Sequence, residues 1–171
     1  MQGKETEKMT EKMIVLDMDG TITDLYGVRD WLEHLRRENA LPYIIARPLV
    51  DMQKLVSLLN FAKTRGWTIC VTSWLACDGS EEYGRTVRAA KKLWLDRYGI
   101  PYDHLHIVRY GTPKRYCTSP NKKSLKSPKI QVLCDDEDKN LEDWKKWHDF
   151  TIDAKQDLLQ NLKDLIMNFK D

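Results

Sequence analysis

The feature that most constrains this chain is an abrupt change at residue 17. Met13 to Leu16 (MIVL) is wholly apolar, and it stops at Asp17, Met18, Asp19, Gly20 and Thr21. A short apolar run without polar alternation suits a strand covered on both faces, and such strands belong to parallel sheets flanked by helices. Two carboxylates and a glycine directly after it place charge at the carboxyl end of that strand. Open α/β sheets bind their ligands at that edge.

The rest of the chain repeats this alternation. Trp67 to Ser73 (WTICVTS), Leu105 to Arg109, Gln131 to Cys134 and Phe150 to Ile152 are the further strand-like runs. Between them, Leu49 to Lys63 has Leu49, Met52, Val56, Leu59 and Ala62 at helical spacing, and Glu81 to Tyr98 has Tyr83, Val87, Ala90 and Trp94. Leu141, Trp144 and His148 predict another helix. A last one over 154–169 carries Leu158, Leu159, Leu162, Leu165, Ile166 and Phe169 on one face. The expected fold is a three-layer α/β domain over 13–171, after a charged lead-in of twelve residues (1–12). A small helical insertion is expected at about 25–47. A length of 171 residues is enough for one well-buried core without disulfides.

Each group of chemical interest ends a predicted strand: Asp17 and Asp19, Thr72 and Ser73, Lys114 beyond the third, and Asp135 and Asp136 after the fourth. Two carboxylate clusters on one edge repel each other unless a hard cation lies between them, and Mg²⁺ prefers a few carboxylates plus water. Hydroxyls donate to phosphoryl oxygens, and an ammonium neutralises charge on a transferring phosphoryl group. Successive strand residues point to opposite faces, so one of Thr72 and Ser73 reaches such a group directly, with Thr72 the first choice. Lys122 and Lys123 are alternatives to Lys114. Trp74, next to the second hydroxyl, is a candidate for stacking on a base or sugar.

DMDGT at Asp17 to Thr21 resembles the first motif of haloacid dehalogenase-like hydrolases, and VTS, GTPK and CDDED resemble the remaining three in the same chain order. The resemblance covers Met13 to about Asp153. It implies a Rossmann-like parallel sheet of order 3-2-1-4-5 with a minimal cap. It also implies Asp17 as nucleophile and Asp19 as general acid and then base, Thr72 or Ser73 and Lys114 as phosphoryl ligands, and Gly20 and Thr21 beside the substrate. Mg²⁺ would be held by carboxylates of Asp17 and Asp136, with Asp135 second, and by the Asp19 carbonyl. LYGVRDWL, YGTPK and DDEDKN look like small phosphatase-like proteins of bacteriophages and bacteria, and more distantly like 5'(3')-deoxyribonucleotidases.

Receiver domains use a similar set, but with the acidic pair first in the chain, whereas here DMDGT leads. His34, His104, His106 and His148 lack ligand spacing for zinc. Cys70, Cys77, Cys117 and Cys134 form no CxxC pair and read as core thiols. The lead-in lacks the apolar run of a secretory signal and no segment is a membrane span, so a cytoplasmic setting is expected. Net charge is only +2, yet seven Lys or Arg and no acid lie between Arg109 and Ile130. With Trp74 and Tyr110, that stretch fits a phosphorylated small molecule or nucleic-acid end as substrate. The expected function is a Mg²⁺-dependent phosphatase acting on nucleotides or nucleic-acid termini. The alternatives are a non-catalytic phospho-ligand-binding protein and a phosphotransferase.

Overall fold

Parallel pairing of the buried runs builds the sheet. In the computed structural model, which describes residues 11–117 and 130–169, the chain opens with strand β1 (Lys12–Leu16), so Lys12 already belongs to the sheet rather than to the lead-in. An insertion comes next: β2 (Thr23–Asp24), α1 (Trp31–Arg36), α2 (Leu41–Ile45) and β3 (Arg47–Pro48). Then come α3 (Met52–Thr64), β4 (Trp67–Trp74), α4 (Glu81–Arg97), β5 (His104–Val108) and a single 3-10 turn at Lys114–Cys117. The chain continues through β6 (Ile130–Asp135), α5 (Asp138–Lys145), β7 (Phe150–Asp153) and α6 (Leu158–Asn168).

The five-stranded sheet runs β5-β4-β1-β6-β7 with every neighbour parallel. Counting only these strands in chain order gives 3-2-1-4-5, the order the resemblance implied. Strand β1 therefore lies in the middle. Its alternation divides the core: Ile14 and Leu16 pack with Leu55 and Leu59 of α3, Trp94 of α4, and Leu158, Leu162 and Ile166 of α6. Met13 and Val15 face Leu141 and Trp144 of α5. Both faces are covered, which is why the strands read as unbroken apolar runs. No helix among the described residues is long and apolar enough to cross a membrane.

Helix starts differ from the periodic reading for a local reason. Helix α3 begins at Met52 rather than Leu49, because the Asp51 carboxylate caps it by accepting from the Lys54 amide at 3.1 Å. Helix α6 begins at Leu158 rather than 154, where Asp157 caps it through the Gln160 amide at 3.1 Å. Arg109 falls just beyond β5, and His148 beyond α5.

The insertion is held on the sheet by α4. The Trp94 indole N–H donates to the Ala46 carbonyl at 2.8 Å, and Arg97 donates to the Ile44 carbonyl at 2.9 Å. Its two ends are joined to each other, because β2 and β3 pair antiparallel. At its far side, the Glu38 carboxylate accepts from the amide and hydroxyl of Ser80, the cap of α4, both at 2.7 Å.

Candidate active site

Strand register brings the motif residues together. Leu16 is paired with Val71 on β4 and with Cys134 on β6. The next residue on each strand path is therefore Thr72, Asp17 and Asp135, a row across three neighbouring strands at their carboxyl ends. The Asp17 amide continues the ladder by donating to the Cys134 carbonyl at 3.0 Å.

Turn chemistry shapes the loop that leaves β1. Gly20 sits at φ +84°, a region that favours glycine, and its amide donates to the Thr23 carbonyl at 2.8 Å. A Cβ at this position would lie 2.3 Å from Asp136 Oδ2, so only a residue without one lets Asp136 approach. Gly20→Ala is expected to cost about 1–3 kcal/mol in denaturant unfolding from backbone strain alone, and to weaken divalent-cation binding in the same protein. Unchanged cation affinity would separate Gly20 from the acidic cluster.

Thr21, buried, shares its hydroxyl proton between Asp136 Oδ1 at 3.1 Å and Asp17 Oδ2 at 3.4 Å. Asp17 Oδ1 accepts from the Lys114 ammonium, and both side chains are buried. Lys114 enters from the 3-10 turn and rests 4.7 Å from the centre of the Trp74 ring. The Trp74 indole N–H is itself fixed by the Thr112 carbonyl at 2.8 Å. Trp74 thus braces Lys114 as well as lining the site.

The two hydroxyls have different partners. Ser73 Oγ accepts from Lys91 at 2.7 Å. Thr72 Oγ1 is buried, faces the Cys117 thiol, and makes no hydrogen bond of normal geometry among the described residues. A buried hydroxyl set against only a weakly bonding thiol keeps capacity for a ligand oxygen.

Asp17, Asp135 and Asp136 can offer oxygens within 4.8 Å of one another, the one such cluster of potential metal ligands among the described residues. Burial raises the Asp17 carboxyl, with the Lys114 charge opposing and the Asp19 charge adding. Burial, then Asp17, pushes Asp135 up to about 7 and Asp136 up to about 6. Burial opposes the charge on Lys114, but Asp17 and Asp135 outweigh it and hold its pKa above the usual value. Asp135 is further held by Asn140, which donates to both its oxygens at 3.2 and 3.1 Å, and by the Glu137 amide at 2.9 Å. Asp136 is half-buried. Crowded carboxylates with hard oxygens and raised pKa values suit a divalent cation such as Mg²⁺.

Periodicity and motif reading pass over Lys91. It is fully buried on α4 and donates to Asp19 Oδ2. They also pass over the wall that the insertion supplies. A cavity of about 590 Å³ opens beside Asp17, Asp19 and Lys114, bounded by Tyr26, Trp31 and Tyr43 of the insertion and by Trp74 and Tyr110 opposite. Tyr26 and Trp31 meet edge to face at 5.0 Å, as do Trp74 and Tyr110 at 5.1 Å. Lys122, Lys123 and most of the basic stretch lie outside the described residues.

No family model and no curated protein matches the sequence. Solved structures do. A chain of the Pnkp1/Rnl/Hen1 complex is similar with a TM-score of 0.55 at 18% identity, over 85% of this chain and 46% of that one. A chain of a structure described as the Pnkp1/Rnl/Hen1 RNA repair complex gives 0.51 at 18% identity, over 85% and 42%. D,D-heptose 1,7-bisphosphate phosphatase from Burkholderia thailandensis gives 0.48 at 16% identity, over 79% and 72%. This chain spans less than half the length of the first two. Sheet order, motif placement along the strand ends and the likeness to those two chains give it the haloacid dehalogenase-like α/β fold that its motifs resemble.

Proposed function

We propose that this chain is a Mg²⁺-dependent phosphomonoesterase that forms an aspartyl phosphate on Asp17 and acts on nucleotides or nucleic-acid ends. The observation that carries this reading is the row of Thr72, Asp17 and Asp135 at one sheet edge, with Lys114 against Asp17 and a cavity in front of it.

Asp17 attacks phosphorus, a new P–O bond forms to its carboxylate, and the ester P–O bond breaks as the leaving oxygen takes a proton from Asp19. Water then attacks the aspartyl phosphate, Asp19 takes its proton, and the Asp17–phosphorus bond breaks to release inorganic phosphate. Lys114 and the Thr72 hydroxyl face the charge that gathers on the phosphoryl oxygens. Asp17 and Asp136, then Asp135, with the Asp19 carbonyl, would hold Mg²⁺. When bound, the ion supplies positive charge to those same oxygens.

Aromatic walls select the leaving group. A cavity of this size admits a nucleoside, and Tyr26, Trp31, Trp74 and Tyr110 offer ring surfaces that an open-chain or sugar alcohol uses poorly. Phosphate release from nucleoside monophosphates, sugar phosphates and 3'- or 5'-phosphorylated oligonucleotides, each with Mg²⁺ or EDTA, tests both levels. Base-bearing substrates are expected to exceed sugar phosphates by about 10-fold or more in kcat/KM, the equivalent of one stacked base. Equal rates on all classes would remove the aromatic walls from the account. Binding of every class without hydrolysis would make the chain a phospho-ligand-binding protein.

A further inference from the structure

Lys91 is a buried cation that the reaction as written leaves without a task. It has no exposed surface, and its three ammonium protons meet three acceptors: Asp19 Oδ2, Ser73 Oγ at 2.7 Å and the Trp74 carbonyl at 2.8 Å. The Tyr43 ring of the insertion covers it at 4.7 Å from the ring centre. Burying an ammonium is costly even when it is paired, and an apolar side chain would fill the same helix position at less cost. The charge is aimed at one oxygen of one residue.

We infer that Lys91 is a positioning residue that orients Asp19 for proton transfer, an inference that rests on the phosphatase reading above. The two oxygens of Asp19 are held unequally. Lys91 fixes Oδ2, whereas Oδ1 has only a long hydrogen bond from the Thr23 hydroxyl at 3.3 Å. Oδ1 is therefore the oxygen left to give its proton to the departing alcohol and to take one from the incoming water. Lys91 touches neither phosphorus nor the leaving oxygen. It acts by stopping rotation of the Asp19 carboxylate, and Tyr43 and Ser73 hold the lysine in turn.

Leaving-group dependence separates this role from a structural one. The second-order constant kcat/KM reports only the steps up to loss of the leaving group. The 2,4-dinitrophenolate anion departs without a proton, whereas an alkoxide needs one. In Lys91→Met, kcat/KM for a nucleoside 5'-monophosphate is expected to fall by about 100-fold or more, the usual worth of a positioned general acid. For 2,4-dinitrophenyl phosphate the fall is expected to stay under about 5-fold, because that leaving group draws no benefit from acid catalysis. In an Asp19→Asn background, Lys91→Met is expected to add less than about 3-fold, since the two residues act as one unit.

Equal losses on both esters in a folded Lys91→Met protein, or full additivity with Asp19→Asn, would overturn the inference. If the methionine variant does not fold, Lys91→Gln, whose neutral amide stops one bond short of the ammonium, is expected to show a smaller loss that still falls on the nucleoside monophosphate and spares 2,4-dinitrophenyl phosphate, and equal losses on the two esters would overturn the inference there too. Failure of the wild-type chain to hydrolyse either ester is a distinct result, because it sinks the phosphatase reading itself and this inference with it.

Discussion

Asp17→Asn is expected to lower turnover of any substrate this chain hydrolyses by at least about 10⁴-fold, because no other carboxylate can take over the covalent step. The variant should still fold. An asparagine keeps an acceptor for Lys114 where Asp17 Oδ1 stands, and removing the charge relieves its repulsion of Asp19, Asp135 and Asp136. Thermal unfolding within a few degrees of wild type, together with lost phosphate release, is the expected pair of results. Residual turnover at a tenth of wild type in the pure variant would remove Asp17 from the nucleophile's role.

Chelation is expected to abolish activity almost as fully, by about 10³-fold, since a cation at the acidic cluster supplies several kcal/mol of charge stabilisation. The pH dependence has a definite sign. Without metal, burial and Asp17 raise Asp135 to about 7 and Asp136 to about 6, above the ordinary 3.8. The folded state then holds protons that the unfolded chain releases, so the metal-free protein loses stability as pH rises through that window. Cation binding needs the ionised carboxylates, so affinity moves the opposite way and falls as pH drops below about 6. A fixed Mg²⁺ concentration that saturates the site above neutral pH is expected to raise the Tm by about 5 °C or more there and by almost nothing near pH 5. Asp136→Asn should raise the Tm of the metal-free protein at alkaline pH and remove most of the Mg²⁺ response. A Tm response to Mg²⁺ that is the same at both pH values would move the cation away from these carboxylates.

The central row of the site was legible because each of its residues directly succeeds an apolar run: Asp17 after MIVL, Thr72 after Trp67 to Val71, and Asp135 after Gln131 to Cys134. Parallel pairing then leaves little freedom in where they meet. The choice between Thr72 and Ser73 was not legible. Alternation says that they face opposite ways without saying which way the site lies, and only the partner of each hydroxyl separates them. Lys91 left a signal, four residues after Val87 and three before Trp94, on the same face as the apolar side chains of α4. It was hidden because a lysine in a helix is ordinarily read as solvated. The walls from the insertion left almost none. Strands of two residues and helices of five or six are too short for periodicity, and Tyr26, Trp31 and Tyr43 acquire their meaning only when α2 is laid on α4.

The pairing of β2 with β3 closes the insertion into a loop of its own. It leaves the sheet edge at Thr23 and returns at Pro48, its register partner, so the chain enters and leaves the excursion at one place, and α4 holds what lies between. Residues can be added to or removed from that excursion without shifting the register of β1, β4 or β6. Tyr26, Trp31 and Tyr43 lie inside it, and Asp17, Thr72 and Asp135 lie outside. The side chains that face the cavity and those of the acidic row are thus encoded in separate stretches of the chain, and they meet where Tyr43 lies over Lys91.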